Sequence, residues 1–175
     1  MLSRRLFLVC AMSAAVPLGA APALAQGPDP AAIVKSIYGK RDPYGAAAAL
    51  QLRGPRGRIL SRPLAKLWKR SDDETPAEDE PVPGFDIPSN SQYREVSRAE
   101  VTVERQDAAR ATVAAKLFSK EPMDKHPPSD DIVRYDFVRE NGRWAIDNVR
   151  STIDGKEWTI RKLLKEGMEA GVSRK

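Results

Sequence analysis

Asp86, Asn90 and Gln92 fall within one short polar segment. Asparagine and glutamine each bring donors and acceptors, and Asp86 adds a charge, so their convergence would hold a small polar ligand. The same residue types also serve locally, Asp86 capping a turn and Asn90 satisfying loop backbone. Tyr38, Trp68 and Trp144 are the candidate apolar walls beside them, although Trp68, Trp144 and Trp158 at helical and strand positions also read as core filling.

A second chemistry is acid–base work. A carboxylate held away from water accepts a proton near neutrality, and Asp136 and Asp147 lie in alternating segments that could turn one of them inward. On simple alternation Asp136 shares a face with Ile132 and Val138, and Asp147 with Ala145 and Val149. His126 is the only histidine, in a proline-rich loop with Asp130 and Asp131 close behind. A lone histidine there lacks the neighbours that a metal or a proton relay needs, and it reads as exposed.

Arg53, Arg56, Arg58, Arg62, Lys66, Lys69 and Arg70 follow one another with no intervening acid, and Asp72, Asp73, Glu74, Glu78, Asp79 and Glu80 come next. They describe either an anion-binding face gated by an acidic flap or a solvated helix beside a solvated loop. No glycine-rich phosphate loop, G-x-S-x-G elbow, H-E-x-x-H pair or calcium loop is present. The expectation is no cofactor and no metal.

These residues need elements to position them. The chain has 175 residues and a net charge of +5. Arg4 and Arg5, an apolar run from Leu6 to Ala21 and Ala23-Leu24-Ala25 before Gln26 have the layout of a cleaved export signal over 1–25, by the general secretory or the twin-arginine route. Its removal takes away Cys10, the only cysteine, and leaves a single domain over 26–175 without thiols. Periplasmic or secreted location makes nucleic acid an unsuitable partner, and no stable membrane anchor is expected after cleavage.

Asp29-Pro30 opens a helix carrying Ile33, Val34, Ile37 and Tyr38, and Ala46 to Leu50 suggests another turn or two. Leu60, Leu64, Leu67 and Trp68 mark a further helix after Ser61. The acidic, proline-rich stretch over 71–84 reads as a mobile loop. Beyond Gln92 the period drops to two: strands are predicted around Ala99–Val103, Ala111–Leu117, Ile132–Val138 and Arg143–Val149, with Asn141-Gly142 as a hairpin turn. A final helix is predicted from about Glu157. Helices followed by strands give an α+β class, with about four antiparallel strands.

Phe85-Asp86-Ile87-Pro88-Ser89-Asn90-Ser91-Gln92 resembles the F-D-x-x-x-N-[AGS]-Q-D segment, and Glu140-Asn141-Gly142-Arg143-Trp144-Ala145-Ile146-Asp147-Asn148-Val149 the E-N-G-x-W-x-I-D-D-[IV] hairpin, of a family of secreted bacterial proteins of unknown function. That family is similar in layout to the NTF2-like superfamily. The resemblance implies a cone in which N-terminal helices and a C-terminal helix pack on a curved sheet. Tyr93 stands where the family has aspartate after the glutamine, Pro88 is displaced, and Asn148 replaces an aspartate. The expected function is a non-enzymatic module binding a small molecule or an envelope protein. The alternatives are an isomerase or hydrolase working through a cavity carboxylate, or an inhibitor or immunity-type protein.

Overall fold

A computed structural model of the chain describes residues 27–51, 54–75, 81–120 and 127–172. The expected signal with Cys10, together with Arg53, Glu78, Asp79, Glu80 and His126, lies outside the described residues.

Helix α1 (Pro30–Ile37) begins as its residues dictate. Asp29 accepts a hydrogen bond from the Ala32 amide at 3.0 Å, and Pro30 fills the first turn, where a missing N–H costs nothing. Ile33, Val34 and Ile37 form its buried side. A single turn, α2 (Ala46–Ala49), follows, its first amides held by the Asp42 carboxylate.

Helix α3 (Arg62–Glu74) is capped by Ser61, whose hydroxyl accepts from the Leu64 amide at 3.2 Å. Leu64, Trp68 and Ser71 are its buried stripe. The helix runs on through Asp72, Asp73 and Glu74, so the mobile loop expected from residue 71 starts at least four residues too early. Charge spacing explains the difference. Lys69 meets Asp73 and Arg70 meets Glu74, each pair one helical turn apart with both ions at 2.7 Å, an arrangement that supports a helix rather than a coil.

Five antiparallel strands form one meander in chain order: β1 (Val96–Gln106), β2 (Arg110–Ser119), β3 (Ile132–Glu140), β4 (Arg143–Ile153) and β5 (Lys156–Thr159). A 3-10 turn over Pro128–Asp131 leads into β3, and α4 (Ile160–Val172) closes the chain. The expected α+β class holds, with five strands in place of about four. The extra strand comes from Asp154-Gly155, a second two-residue hairpin with φ of 52° and 73°, matching 50° and 76° at Asn141-Gly142. Trp158 therefore lies on β5, and the last helix starts at Ile160.

One sheet face carries Val113, Leu117, Val133, Tyr135, Phe137, Ile146 and Val149 into a common core with Ile33, Leu64, Trp68 and Leu164. The β1–β2 register is irregular between Val96 and Arg98 and between Val103 and Arg105, and Val103 is exposed; in β4 simple alternation fails at Asp147. Asp136 pairs with Asn148 and Phe137 with Ile146, so Asp147 is the extra residue of a β-bulge. Ile146 and Val149 consequently both reach the core, and Asp147 does not share a face with Val149 in the regular way. Strand β5 covers only Arg150–Ile153 of β4. Farther along the same edge, the Ile146 amide donates to the Ile59 carbonyl and the Ser61 amide to the Ile146 carbonyl, both at 2.8 Å.

Candidate functional site

The segment from Phe85 to Arg94 is bonded on one side to Tyr38, which ends α1, and on the other to the β4–β5 hairpin. Asp86 and Ser91 pair across its base, and Asp86 accepts from the Ser89 amide at 2.8 Å. Ile87, fully buried, pins the turn to the core.

Asn90 has φ of 55°, a left-handed conformation that asparagine tolerates better than most residues. Its amide nitrogen donates to the carbonyls of Asp130 at 2.9 Å and Thr152 at 2.7 Å, and its oxygen accepts from Trp158 Nε1 at 2.9 Å. Asn90 is thus a staple between the loop, the 3-10 turn and the last hairpin. Trp158 in turn meets Phe85 edge-on, with ring centroids 5.1 Å apart.

The six sequence-predicted residues do not converge on one site. Asn90 and Gln92 line a cleft of about 480 Å³ whose other walls include Phe85, Tyr93, Ile153 and Asp154. Asp86 and Tyr38 line a separate cleft of about 340 Å³ on the other side of the segment. Arg94 borders both. Its side chain is 3% exposed and ion-paired with Asp131 at 2.6 Å, with further bonds to the Ser119 hydroxyl and the Leu117 carbonyl.

Trp68 and Trp144 line neither cleft. Trp68 is wholly buried under Arg56, whose guanidinium carbon lies 4.1 Å from the ring centroid. Trp144 is at the core edge beside Arg139. Tyr38 belongs to a buried hydroxyl chain. Its OH donates to the Pro88 carbonyl at 3.0 Å, which leaves Tyr135 as donor across the 2.7 Å contact between the phenols. Burial first, and for Tyr135 its neighbour Tyr38 next, pushes both phenols above their ordinary range; the hydrogen bond from Tyr135 offsets only part of the shift at Tyr38.

Tyr93 escapes a reading based on matching motifs because it is where the motif departs. It is 92% exposed, and Gln92 beside it bonds back to the Gly84 carbonyl at 2.8 Å. Ile153, at the other wall, is also exposed for its type. A large apolar residue in place of an expected aspartate was the available signal.

The two carboxylates considered for acid–base chemistry are engaged. Asp136 accepts from Thr112 and from Arg150, both at 2.9 Å. Asp147 accepts from Ser61 and from Arg161. Among the described residues, no group of three or more histidine, cysteine, aspartate or glutamate side chains could hold a metal ion. Of the basic run, Arg56 is half-buried against Trp68 and paired with Asp72 at 2.8 Å, while Lys69 and Arg70 pair along α3. Arg58, Arg62 and Lys66 are exposed.

Comparison with family models, curated proteins and solved structures finds no match to the chain.

Proposed function

We propose that this is an exported, non-enzymatic binding module of NTF2-like kind, and that its ligand site is the cleft between the Phe85–Arg94 segment and the β4–β5 hairpin. One observation carries the reading: a cleft of about 480 Å³ has Phe85, Tyr93 and Ile153 on its walls and amide and carboxylate groups at its rim. Apolar walls with a few fixed polar groups suit a small amphipathic molecule, or the side chain of an envelope protein. Support also comes from the carboxylates. Asp136 and Asp147 are spent on arginine and hydroxyl partners, which is poor preparation for a general base.

The test is a ligand screen by amide NMR on the purified protein. Saturable shifts centred on Phe85, Gln92, Tyr93 and Ile153, weakened several-fold by Tyr93→Ala, are expected. Turnover of any screened compound that vanishes in Asp136→Asn or Asp147→Asn would replace the binding module by an enzyme.

A further inference from the structure

The two edges of the sheet are finished differently. At one edge β5 is only four residues long and runs straight into α4, and Ile59 and Ser61 bond to β4 beyond the end of β5. Little unpaired backbone is left there. At the other edge β1 runs for eleven residues, and among the described residues no strand or bridge pairs with its outer side. Neither proline nor lysine interrupts it, and Val96, Val101, Thr102 and Val103 are of types that favour strands. Its irregularities fall near its ends and leave Arg98–Val103 regular. An edge of this kind is a template for another strand.

Read antiparallel, β1 complements itself. With Val101 set against Val101 of a second copy, Ala99 falls opposite Val103, Glu100 opposite Thr102 and Arg98 opposite Glu104. Ala99, Val101 and Val103 pair with core residues of β2 and share the face that meets the helices, where Val103 is 42% exposed. The end of α1 at Ile37 and the Val96–Arg98 end of β1 line one cleft, so the Val103 end is the bare one. Antiparallel pairing lays that bare end beside the covered end of the other copy. On the opposite face, Glu104 meets Arg134 at 2.9 Å, and Arg98, held over the Phe118 ring, meets Glu100. Facing Arg98 with Glu104 joins these pairs into a row of alternating sign, Arg134, Glu104, Arg98, Glu100, and two-fold symmetry makes the row twice. Other registers lose it. A shift of two residues puts Glu100 opposite Glu100 or Glu104, and a shift of one sets Val101 against Glu100 or Thr102.

We propose that this chain forms a two-fold dimer through its β1 edges, joining the two five-stranded sheets into one continuous sheet. Main-chain bonds supply the attraction, and the charge row and the valines fix the register. Pairing consumes the open edge of each copy, so assembly stops at two. Strand addition buries less than a standard interface, and the dimer therefore exchanges with monomer at micromolar concentrations. No residue of β1 lines the cleft at Tyr93, so the dimer and the ligand site stand or fall separately.

Sedimentation equilibrium of the purified protein from about 1 to about 500 µM should show monomer passing to dimer, with a midpoint of roughly 10–100 µM. Amide signals of residues 98–104 should move with concentration and gain protection from hydrogen exchange in the dimer. Arg98→Glu and Glu104→Arg each set like charges opposite one another, and each alone should weaken self-association by roughly tenfold or more. Mixed in equal amounts, the two variants face unlike charges at both ends of the pair and should associate within roughly threefold of the parent. Should either variant fail to fold, the concentration-dependent signals of the parent decide the matter. A parent that stays monomeric throughout, signals that move elsewhere than in β1, a dimer indifferent to both variants, or folded variants that do not pair when mixed overturns the proposal.

Discussion

Trp158 on β5 donates its indole N–H to Asn90 Oδ1 at 2.9 Å, and the same indole ring holds Phe85 at the wall of the larger cleft. A polar residue that looks like a ligand contact in sequence thus acts by placing the aromatic residues around it.

Loss of this amide should be costly. Asn90→Ala strands the Trp158 N–H and the carbonyls of Asp130 and Thr152, and it puts alanine at a positive φ. With about 1 kcal/mol for each bond lost to partial water rescue, a destabilisation of roughly 3 kcal/mol is expected in urea unfolding. Asn90→Gly relieves the backbone strain without restoring the bonds, and should recover no more than about 1 kcal/mol. Full recovery by glycine would show that conformation, not bonding, makes Asn90 necessary.

The phenol pair predicts a pH response. Tyr38 and Tyr135 keep their protons in the fold beyond the pH at which an unfolded tyrosine loses its own, about 10. Their contribution is therefore fully present below pH ~10 and declines above it, by about 1.4 kcal/mol per pH unit for each phenol. Phenolate absorbance of the folded protein should lag behind that of the urea-unfolded chain. Tyr135→Phe should roughly halve the alkaline slope, and because Tyr38 still reaches Pro88 it should cost only about 1 kcal/mol at neutral pH. Coincident titration of the folded and unfolded forms would contradict this.

Much of the frame is legible from pattern alone. Asp29-Pro30 and Ser61 start helices because side-chain oxygens meet orphan amides, and alternation from Ala99 onward finds the strands because one sheet face is buried. What escapes is non-local. Nothing near Asn90 in the chain reveals partners 40, 62 and 68 residues away. The bulge at Asp147 depends on β3 register as well as on β4, so alternation misassigns its face. Asp154-Gly155, in contrast, is a readable hairpin signal obscured by the apolar run that follows it. Tyr93 could be noticed as a departure from a motif, but only the cleft gives it a place.

The pairs along α3 should differ in worth. The Arg56 side chain is 11% exposed and lies on Trp68, and its Nη2 meets Asp72 at 2.8 Å. Asp72→Ala leaves that half-buried cation without its carboxylate and should cost about 1–2 kcal/mol, between the values for exposed and buried pairs. Asp73→Ala breaks an exposed pair with Lys69 and should cost no more than about 0.5 kcal/mol. Equal costs in denaturant titration would place Arg56 in a surface pair after all.

Gly167 on α4 offers the last test, since substitution there sets helix propensity against packing. Glycine inside a helix ordinarily costs about 1 kcal/mol relative to alanine, so Gly167→Ala should stabilise if the site were open. It is closed: a Cβ there would lie 2.4 Å from Val82 Cγ2 and 3.4 Å from two more Val82 atoms. Valine is stiff at its first side-chain torsion and cannot swing away cheaply, so the segment from Pro81 to Gly84 must lift off α4. Overpacking of this kind costs about 1–3 kcal/mol and should outweigh the propensity gain. Because Pro83, Gly84 and Phe85 line the larger cleft, the variant should also alter any ligand binding measured there. Adding Val82→Ala opens space for the new methyl and should restore stability to within about 1 kcal/mol of the parent. A stabilised single variant in thermal and urea unfolding would show that the segment yields freely, and would remove the support it lends to the cleft.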